Sequence, residues 1–129
     1  MAVDTVLDHL LIVSEDLERS IEFYELLGFE HLMTIQRPND KLAILQLGET
    51  KIELMSLPKG KETRRPPRRR TDLGFRHIGF RIDNVEAAYE RLKNRIDFDS
   101  PPRKIAGRGD RITVFFRDPD GVEIHFVQE

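Results

Sequence analysis

The stretch that decides the fold occurs twice, as HLLIVSEDLERSIEFY at residues 9–24 and as HIGFRIDNVEAAYERL at residues 77–92. The two copies align without a gap at an offset of 68 (77 − 9), and a histidine opens each of them. A second match follows at an offset of 72 (125 − 53), where GETKIEL at 48–54 corresponds to DGVEIHF at 120–126. Internal repetition constrains the architecture of a chain more than any other sequence feature. We therefore interpret the chain as one structural unit that is written twice.

Composition indicates a globular protein of ordinary domain size. The 129 residues suit one compact domain, or two small and similar halves. The net charge of −2 argues against general attraction to nucleic acid or to an anionic membrane. The chain has no cysteine, which excludes disulfides and thiolate chemistry and is typical of a reducing compartment. Because no signal-peptide pattern and no apolar run of about 18 residues is present, we expect a cytoplasmic protein.

The first copy has the pattern of a strand, a helix and three more strands. Apolar and partly β-branched residues at 6–13 predict the first strand. Apolar residues then recur at helical spacing from Leu17, after the N-cap candidates Ser14 and Asp16. Gly28 follows where a helix C-terminus is expected. The three further strands are predicted at residues 29–36, 42–47 and 51–57.

The second copy predicts the same order of elements. Residues 75–82 predict a strand, and Asp83 and Glu86 have the spacing of a capping box at the start of a helix. An apolar stripe continues this helix from Val85 to Ile96. Further strands are predicted at residues 98–105, which two prolines interrupt, and at 111–117 and 122–127.

The segment between the copies has a different character. It contains five arginines around Pro66 and Pro67, and both charge and proline oppose packing into a core. We therefore expect an exposed linker. The single domain 1–129 is accordingly divided into module one at residues 1–57, a basic linker at 58–73 and module two at 74–129.

Residues able to bind a metal occupy matching positions in the two copies. In each predicted strand the apolar neighbours alternate with them, so they lie on the face away from the helices. If the two sheets curve toward each other, these side chains converge. Three imidazoles and one carboxylate suit a borderline divalent ion such as Zn²⁺, Ni²⁺, Fe²⁺, Mn²⁺ or Co²⁺. The candidate metal ligands are His9, Glu53, His77 and His125.

At this point the chain resembles the vicinal oxygen chelate superfamily, which includes glyoxalase I, methylmalonyl-CoA epimerase, extradiol dioxygenases and the bleomycin resistance proteins. The resemblance is carried by DHLLIVSEDLERSIEFYELLGF, by KIEL, by FRHIGF and by DPDGVEIH, and it covers nearly the whole chain outside the basic linker. It implies an α+β fold of two paired βαβββ modules that form a curved mixed sheet cup around one divalent metal. It also implies a small-molecule substrate and a homodimer, whose metal site is built within one chain or across two.

One position departs from the glyoxalase pattern. Four residues after the glycine of DPDG that pattern usually has glutamate, and here the residue is His125. Glu123 is acidic but lies two residues earlier, and the internal repeat favours His125 because it matches Glu53. Glu53 then remains as the only carboxylate ligand and as the candidate catalytic base. The departure argues against strict glyoxalase I activity.

These observations favour a metal-dependent lyase or isomerase that stabilises an enolate-type intermediate of an oxygen-chelating substrate. Two other classes stay open. One is an extradiol-type dioxygenase, which would bind Fe²⁺ through His9, His77 and a third ligand. The other is a resistance protein that sequesters a drug or metabolite, although such members typically lack the metal ligands. We expect no nucleic-acid or membrane partner.

Overall fold

The computed structural model describes all residues from 1 to 129 and divides the chain into two compact units, Met1–Pro66 and Pro67–Glu129. Each unit has one helix and one four-stranded sheet. Neither helix has the length and apolar character needed to cross a membrane. The predicted α+β class and the predicted pair of βαβββ modules are both confirmed by this order of elements.

The first unit contains a mixed sheet in which only one pair of strands is parallel. Strand β1 is parallel to β4, whereas β3 is antiparallel to both β4 and β2, in the order β1-β4-β3-β2. The elements are β1 (His9–Val13), α1 (Leu17–Leu26), β2 (Glu30–Gln36), β3 (Lys41–Leu47) and β4 (Thr50–Ser56).

The second unit has the same strand order, β5-β8-β7-β6, with β5 parallel to β8. The elements are β5 (Ile78–Arg81), α2 (Val85–Leu92), β6 (Arg103–Lys104), β7 (Ile112–Arg117) and β8 (Glu123–Gln128). The register repeats as well. Leu11 pairs with Glu53 in the first unit, and Gly79 pairs with His125 in the second, which are the positions that the two sequence offsets relate.

The core of each unit lies between its helix and one face of its sheet. In the first unit Tyr24 of α1 is fully buried with Ile52 and Leu54 of β4, and each buried aliphatic side chain contributes about 1.5–3 kcal/mol. In the second unit Val85 of α2 and Ile124 of β8 are equally buried. Side chains alternate along a strand. Glu53 and His125 therefore each lie on the face of their own sheet that is turned away from its helix.

Helix α1 begins as the sequence predicts. The side chain of Asp16 accepts a hydrogen bond from the Arg19 amide at 3.1 Å, so Asp16 is the N-cap. Ser14, the other candidate, has a different role, because its buried hydroxyl lies 2.7 Å from that of Ser20. Gly28 follows the helix with a φ of 102°, a conformation that favours glycine.

The predicted start and end of α2 were wrong. The N-cap is Asn84, whose side chain accepts from the Ala87 amide at 3.0 Å, and not Asp83. The helix ends at Leu92. The Leu92 carbonyl oxygen accepts hydrogen bonds from the amides of Arg95 and Ile96, and these bonds tighten the chain into a turn. Ile96 is nevertheless buried, which explains why the apolar stripe continued to it.

Two predicted strands begin later in the structure than the sequence indicates. Strand β1 starts at His9, which pairs with Lys51, and the same register places residues 6 and 7 opposite residues 48 and 49, which precede β4. Strand β5 starts at Ile78, and His77 therefore lies just before the strand instead of inside it. The strand predicted at 98–105 is reduced to β6 and to one bridge at Phe98, since two prolines in between lack amide donors.

The segment 58–73 forms neither helix nor strand, and most of its residues are exposed. Its side chains make local contacts within their own units. Arg64 forms an ion pair with Glu15, and Arg69 pairs with Asp72 at 3.0 Å. Arg68 donates to the carbonyl oxygens of residues 72 and 73.

Candidate metal centre

The first unit brings His9 and Glu53 together on the sheet face opposite α1. Glu53 lies between the buried residues Ile52 and Leu54, so strand alternation turns its carboxylate away from the core. His9 opens the neighbouring parallel strand, and its Nδ1 lies 3.7 Å from Glu53 Oε2. These two predicted ligands are therefore neighbours.

Asp8 joins this pair, and the sequence did not identify it as a site residue. Its Oδ2 lies 2.7 Å from His9 Nδ1, and the ligand atoms of Asp8, His9 and Glu53 all lie within 4.8 Å of one another. The hydrogen bond to Asp8, followed by the charge of Glu53, raises the pKa of His9. The same hydrogen bond, with Lys51 nearby, lowers the pKa of Asp8. Asp8 thus stabilises a proton on His9 Nδ1.

The second unit brings together the other two predicted ligands. His125 lies in β8 between the buried residues Ile124 and Phe126, and His77 directly precedes the parallel strand β5. The two imidazole centroids are 4.6 Å apart. His125 also stacks on Phe115 at 4.5 Å with 13° between the ring planes, which holds the imidazole in a fixed orientation.

The hydrogen bonds of Thr113 determine which nitrogen of His125 carries the proton. The buried Thr113 hydroxyl lies 2.9 Å from the carbonyl oxygen of Phe126 and 2.8 Å from His125 Nδ1. A carbonyl oxygen only accepts, so the single hydroxyl proton is donated to Phe126. Thr113 must then accept from an Nδ1–H of His125. In neutral His125 the free lone pair therefore lies on Nε2, and burial, followed by the charge of His77, lowers the pKa of this side chain.

Gly79 gives the imidazole of His125 room to pack against strand β5. It pairs with His125 across the parallel strands, and a Cβ atom at residue 79 would lie 2.7 Å from His125 Nε2. Every other glycine has a positive φ, which favours glycine. At Gly79 the reason for glycine is different, because a side chain there would collide with His125. The absence of a side chain at residue 79 is therefore what lets the His125 imidazole lie directly against β5.

His77 has a carboxylate partner in its own unit. Its Nδ1 lies 3.1 Å from Glu123 Oε1, at the start of β8. The residues present thus fit a first-row divalent ion by two criteria, which are a donor set of imidazoles and carboxylates and a His125 tautomer that leaves Nε2 free.

The sequence did not assign Asp8, Gly79, Thr113 or Glu123 to the site. For Asp8 the signal was its adjacency to a repeat-matched histidine. Gly79 and Thr113 become visible only through strand register, because each acts on His125 from a neighbouring strand.

Comparison with known proteins identifies the class. Residues 6–126 match the family model described as the Glyoxalase/Bleomycin resistance protein/Dioxygenase superfamily. The chain therefore belongs to this superfamily. It is 30% identical over 128 residues to the uncharacterized protein YwkD of Bacillus subtilis, with 94% of each chain covered.

Two further relatives carry names that bear on function. A lactoylglutathione lyase of Salmonella typhimurium is 30% identical over 131 residues, which cover 93% of this chain and 90% of the lyase. The crystal structure of a glyoxalase family protein from Enterococcus faecalis superposes with a TM-score of 0.77 at 28% identity, covering 95% of this chain and 97% of that one. These likenesses establish the glyoxalase-like fold.

Proposed function

We propose that this protein is a divalent-metal-dependent enzyme of the glyoxalase-like lyase or isomerase type, acting as a cytoplasmic homodimer on a small substrate with two adjacent oxygens. The observation that carries the proposal is the tautomer of His125, whose Nδ1–H faces the Thr113 hydroxyl and whose Nε2 lone pair is left free to coordinate an ion. The likeness to a lactoylglutathione lyase supports the reaction class.

We propose His9, Glu53, His77 and His125 as the ligands of one ion, which is Zn²⁺, Ni²⁺, Fe²⁺, Mn²⁺ or Co²⁺. Their matched positions in the repeat and the pairing of each two within one unit support this assignment. A bound ion of this kind would supply Lewis-acid stabilisation of negative charge on substrate oxygens.

Glu53 is proposed as the catalytic base. Its carboxylate is 18% exposed, so it is reachable by substrate and yet partly shielded from water. A carboxylate in this setting can accept, at Oε1 or Oε2, a proton from a carbon next to a carbonyl group. Asp8 accepts the Nδ1 proton of His9 and thereby orients the imidazole beside Glu53.

The sheet face that carries Glu53 also offers apolar surface for the carbon part of a substrate. Leu11 and Val13 of β1 expose 46% and 41% of their surface on the same face as His9, and Met55 follows Glu53 by two residues in β4. A few polar groups among apolar side chains are typical of the lining of small-molecule sites.

Metal analysis of alanine variants tests the proposal. We expect one ion per site in the wild type and a loss of most of it in His9→Ala, Glu53→Ala, His77→Ala and His125→Ala. His31→Ala is the matched control, because His31 bonds only to the Thr34 hydroxyl at 2.8 Å, and it should keep the metal. Full occupancy in His9→Ala or His77→Ala protein would contradict the proposal.

The reaction class has its own test. Proton exchange beside the carbonyl of a hemithioacetal substrate, lost in Glu53→Gln protein, would support lyase or isomerase chemistry. Oxygen uptake by the Fe²⁺-loaded protein would indicate the dioxygenase alternative instead. Tight drug binding by metal-free protein, without turnover, would indicate sequestration.

A further inference from the structure

Glu123 lies where it can control His77. Its side chain is 21% exposed, and Oε1 lies 3.1 Å from His77 Nδ1. Two guanidinium groups hold the carboxylate in place, since Arg76 Nε lies 3.8 Å from Oε1 and Arg117 Nη2 lies 3.7 Å from Oε2. Arg117 is held in turn by Asp99 at 2.9 Å.

Arg76 is itself anchored to the backbone. Its Nη1 donates to the carbonyl oxygens of Arg69 and Arg70, each at 3.2 Å. Because these acceptors are main-chain atoms, the hydrogen bonds of Arg76 do not depend on the arginine side chains of the basic linker. The interactions therefore connect the backbone at residues 69 and 70 to His77 through Arg76 and Glu123.

The first unit has no carboxylate at the position that corresponds to Glu123, although the two units share the same fold. The position of Glu123 corresponds to Lys51 in the first unit, by the offset of 72 (123 − 51), and a lysine ammonium cannot accept a hydrogen bond. There the partner of His9 Nδ1 is Asp8, the preceding residue. Both repeat-matched histidines thus have a carboxylate at Nδ1, supplied from different places in the chain.

We infer that Glu123 is a positioning residue, which holds His77 in the Nδ1–H tautomer and so presents its Nε2 lone pair for coordination. A carboxylate only accepts, so the contact requires a proton on Nδ1. Such partners of ligand histidines fix the ring and the tautomer, and their loss typically weakens metal binding about 10- to 100-fold. The coordination half of this inference rests on the proposed function, whereas the tautomer half does not.

The tautomer is measured on metal-free protein. Imidazole ¹⁵N spectra, recorded at alkaline pH where the ring is neutral, should show His77 as Nδ1–H in the wild type. Glu123→Ala should shift His77 toward the Nε2–H form that free imidazole side chains prefer in water. Glu123→Met, which keeps the side-chain length without a strong acceptor, serves the same purpose if the alanine variant unfolds.

Two further variants separate positioning from general damage. Glu123→Gln should retain the Nδ1–H form, because its amide oxygen still accepts. Glu90→Gln is the matched control, since Glu90 is exposed and pairs only with Lys93, and it should resemble the wild type. An unchanged His77 tautomer in both Glu123→Ala and Glu123→Met would overturn the inference.

Calorimetric titration with Zn²⁺ tests the coordination half. We expect affinity to fall about 10- to 100-fold in Glu123→Ala, less in Glu123→Gln and not at all in Glu90→Gln. Equal affinity in wild type and Glu123→Ala would refute positioning while leaving the proposed function intact. A wild type that binds no Zn²⁺ or other divalent ion would refute the proposed function, and the tautomer spectra would still decide the role of Glu123.

Discussion

Each of the three candidate ligand histidines uses the same nitrogen to contact the protein. Their Nδ1 atoms lie 2.7 to 3.1 Å from an oxygen, which is supplied by Asp8, Glu123 or Thr113. The fourth histidine, His31, differs because it contacts Thr34 through Nε2. Since an imidazole that donates at Nδ1 has its lone pair on Nε2, all three histidines would offer the same nitrogen to the proposed metal.

Gly79 allows a prediction whose sign opposes the usual one. Where the backbone permits it, Gly→Ala stabilises a protein by about 0.4–1 kcal/mol, and Gly79 has no positive φ to forbid it. Here the new Cβ would lie 2.7 Å from His125 Nε2, so the imidazole must move. We expect Gly79→Ala to lower the free energy of unfolding by about 1–3 kcal/mol, measured by urea denaturation.

A double-mutant cycle identifies the cause. In a His125→Ala background the clash is absent, so adding Gly79→Ala should be neutral or stabilising. Equal destabilisation in both backgrounds would show that Gly79 is needed for another reason. Gly79→Ala alone should also reduce metal content, because the displaced imidazole no longer presents Nε2 in the same place.

At the scale of elements, the start of α2 depends on Asn84. Its side chain satisfies the Ala87 amide, one of the helix donors that lack a partner within the helix. Asn84→Ala should therefore cost about 1 kcal/mol in the free energy of unfolding. Asp83→Ala is the matched control and should cost much less, since Asp83 is not the N-cap. The reverse order of the two effects would contradict the observed cap.

Sequence reasoning predicted the elements but not all of their ends. The apolar alternation around Glu53 and the N-cap at Asp16 are local signals, and they located β4 and α1 to within a residue or two. The start of β1 is different, because a strand extends only as far as a neighbouring strand is available to pair with it. Val6 and Leu7 are apolar, as a strand requires, yet the register of β1 places them opposite residues 48 and 49, which precede β4.

The candidate site shows the same division between local and long-range information. His9, Glu53, His77 and His125 could be selected because the repeat is written in the sequence, and the structure places them as neighbours within each unit. Glu123 and Thr113 could not be assigned, since their roles depend on which strand lies beside which. The proton position on His125 follows only from the two partners of the Thr113 hydroxyl, which are the Phe126 carbonyl oxygen and His125 Nδ1.

At the scale of the whole molecule, the basic linker and the three residues that follow it carry an unusual charge. Residues 59–76 contain eight basic and two acidic side chains, although the chain as a whole has a net charge of −2. Such a run can be a binding surface, but it can also be a solvated connection. The contacts favour the second interpretation for the side chains of Arg68 and Arg69, which bond only to the adjacent turn at residues 72 and 73.

This interpretation makes a prediction about the segment. Changing Arg68, Arg69 and Arg70 together to alanine should alter the free energy of unfolding by less than about 1 kcal/mol, because exposed ion pairs contribute little. The carbonyl groups that anchor Arg76 remain in this variant, so Zn²⁺ affinity should also be unchanged. Thermal denaturation and calorimetric titration measure the two quantities.

Arg76→Ala provides the contrast, because it removes the group that connects the same backbone to Glu123. If the route through Arg76 carries the positioning of His77, this single substitution should weaken Zn²⁺ binding while the triple arginine variant does not. A triple variant that loses both stability and affinity would show that the arginine side chains themselves are structural. Equal affinity in both variants would restrict the positioning of His77 to Glu123 alone, held by Arg117 and its partner Asp99.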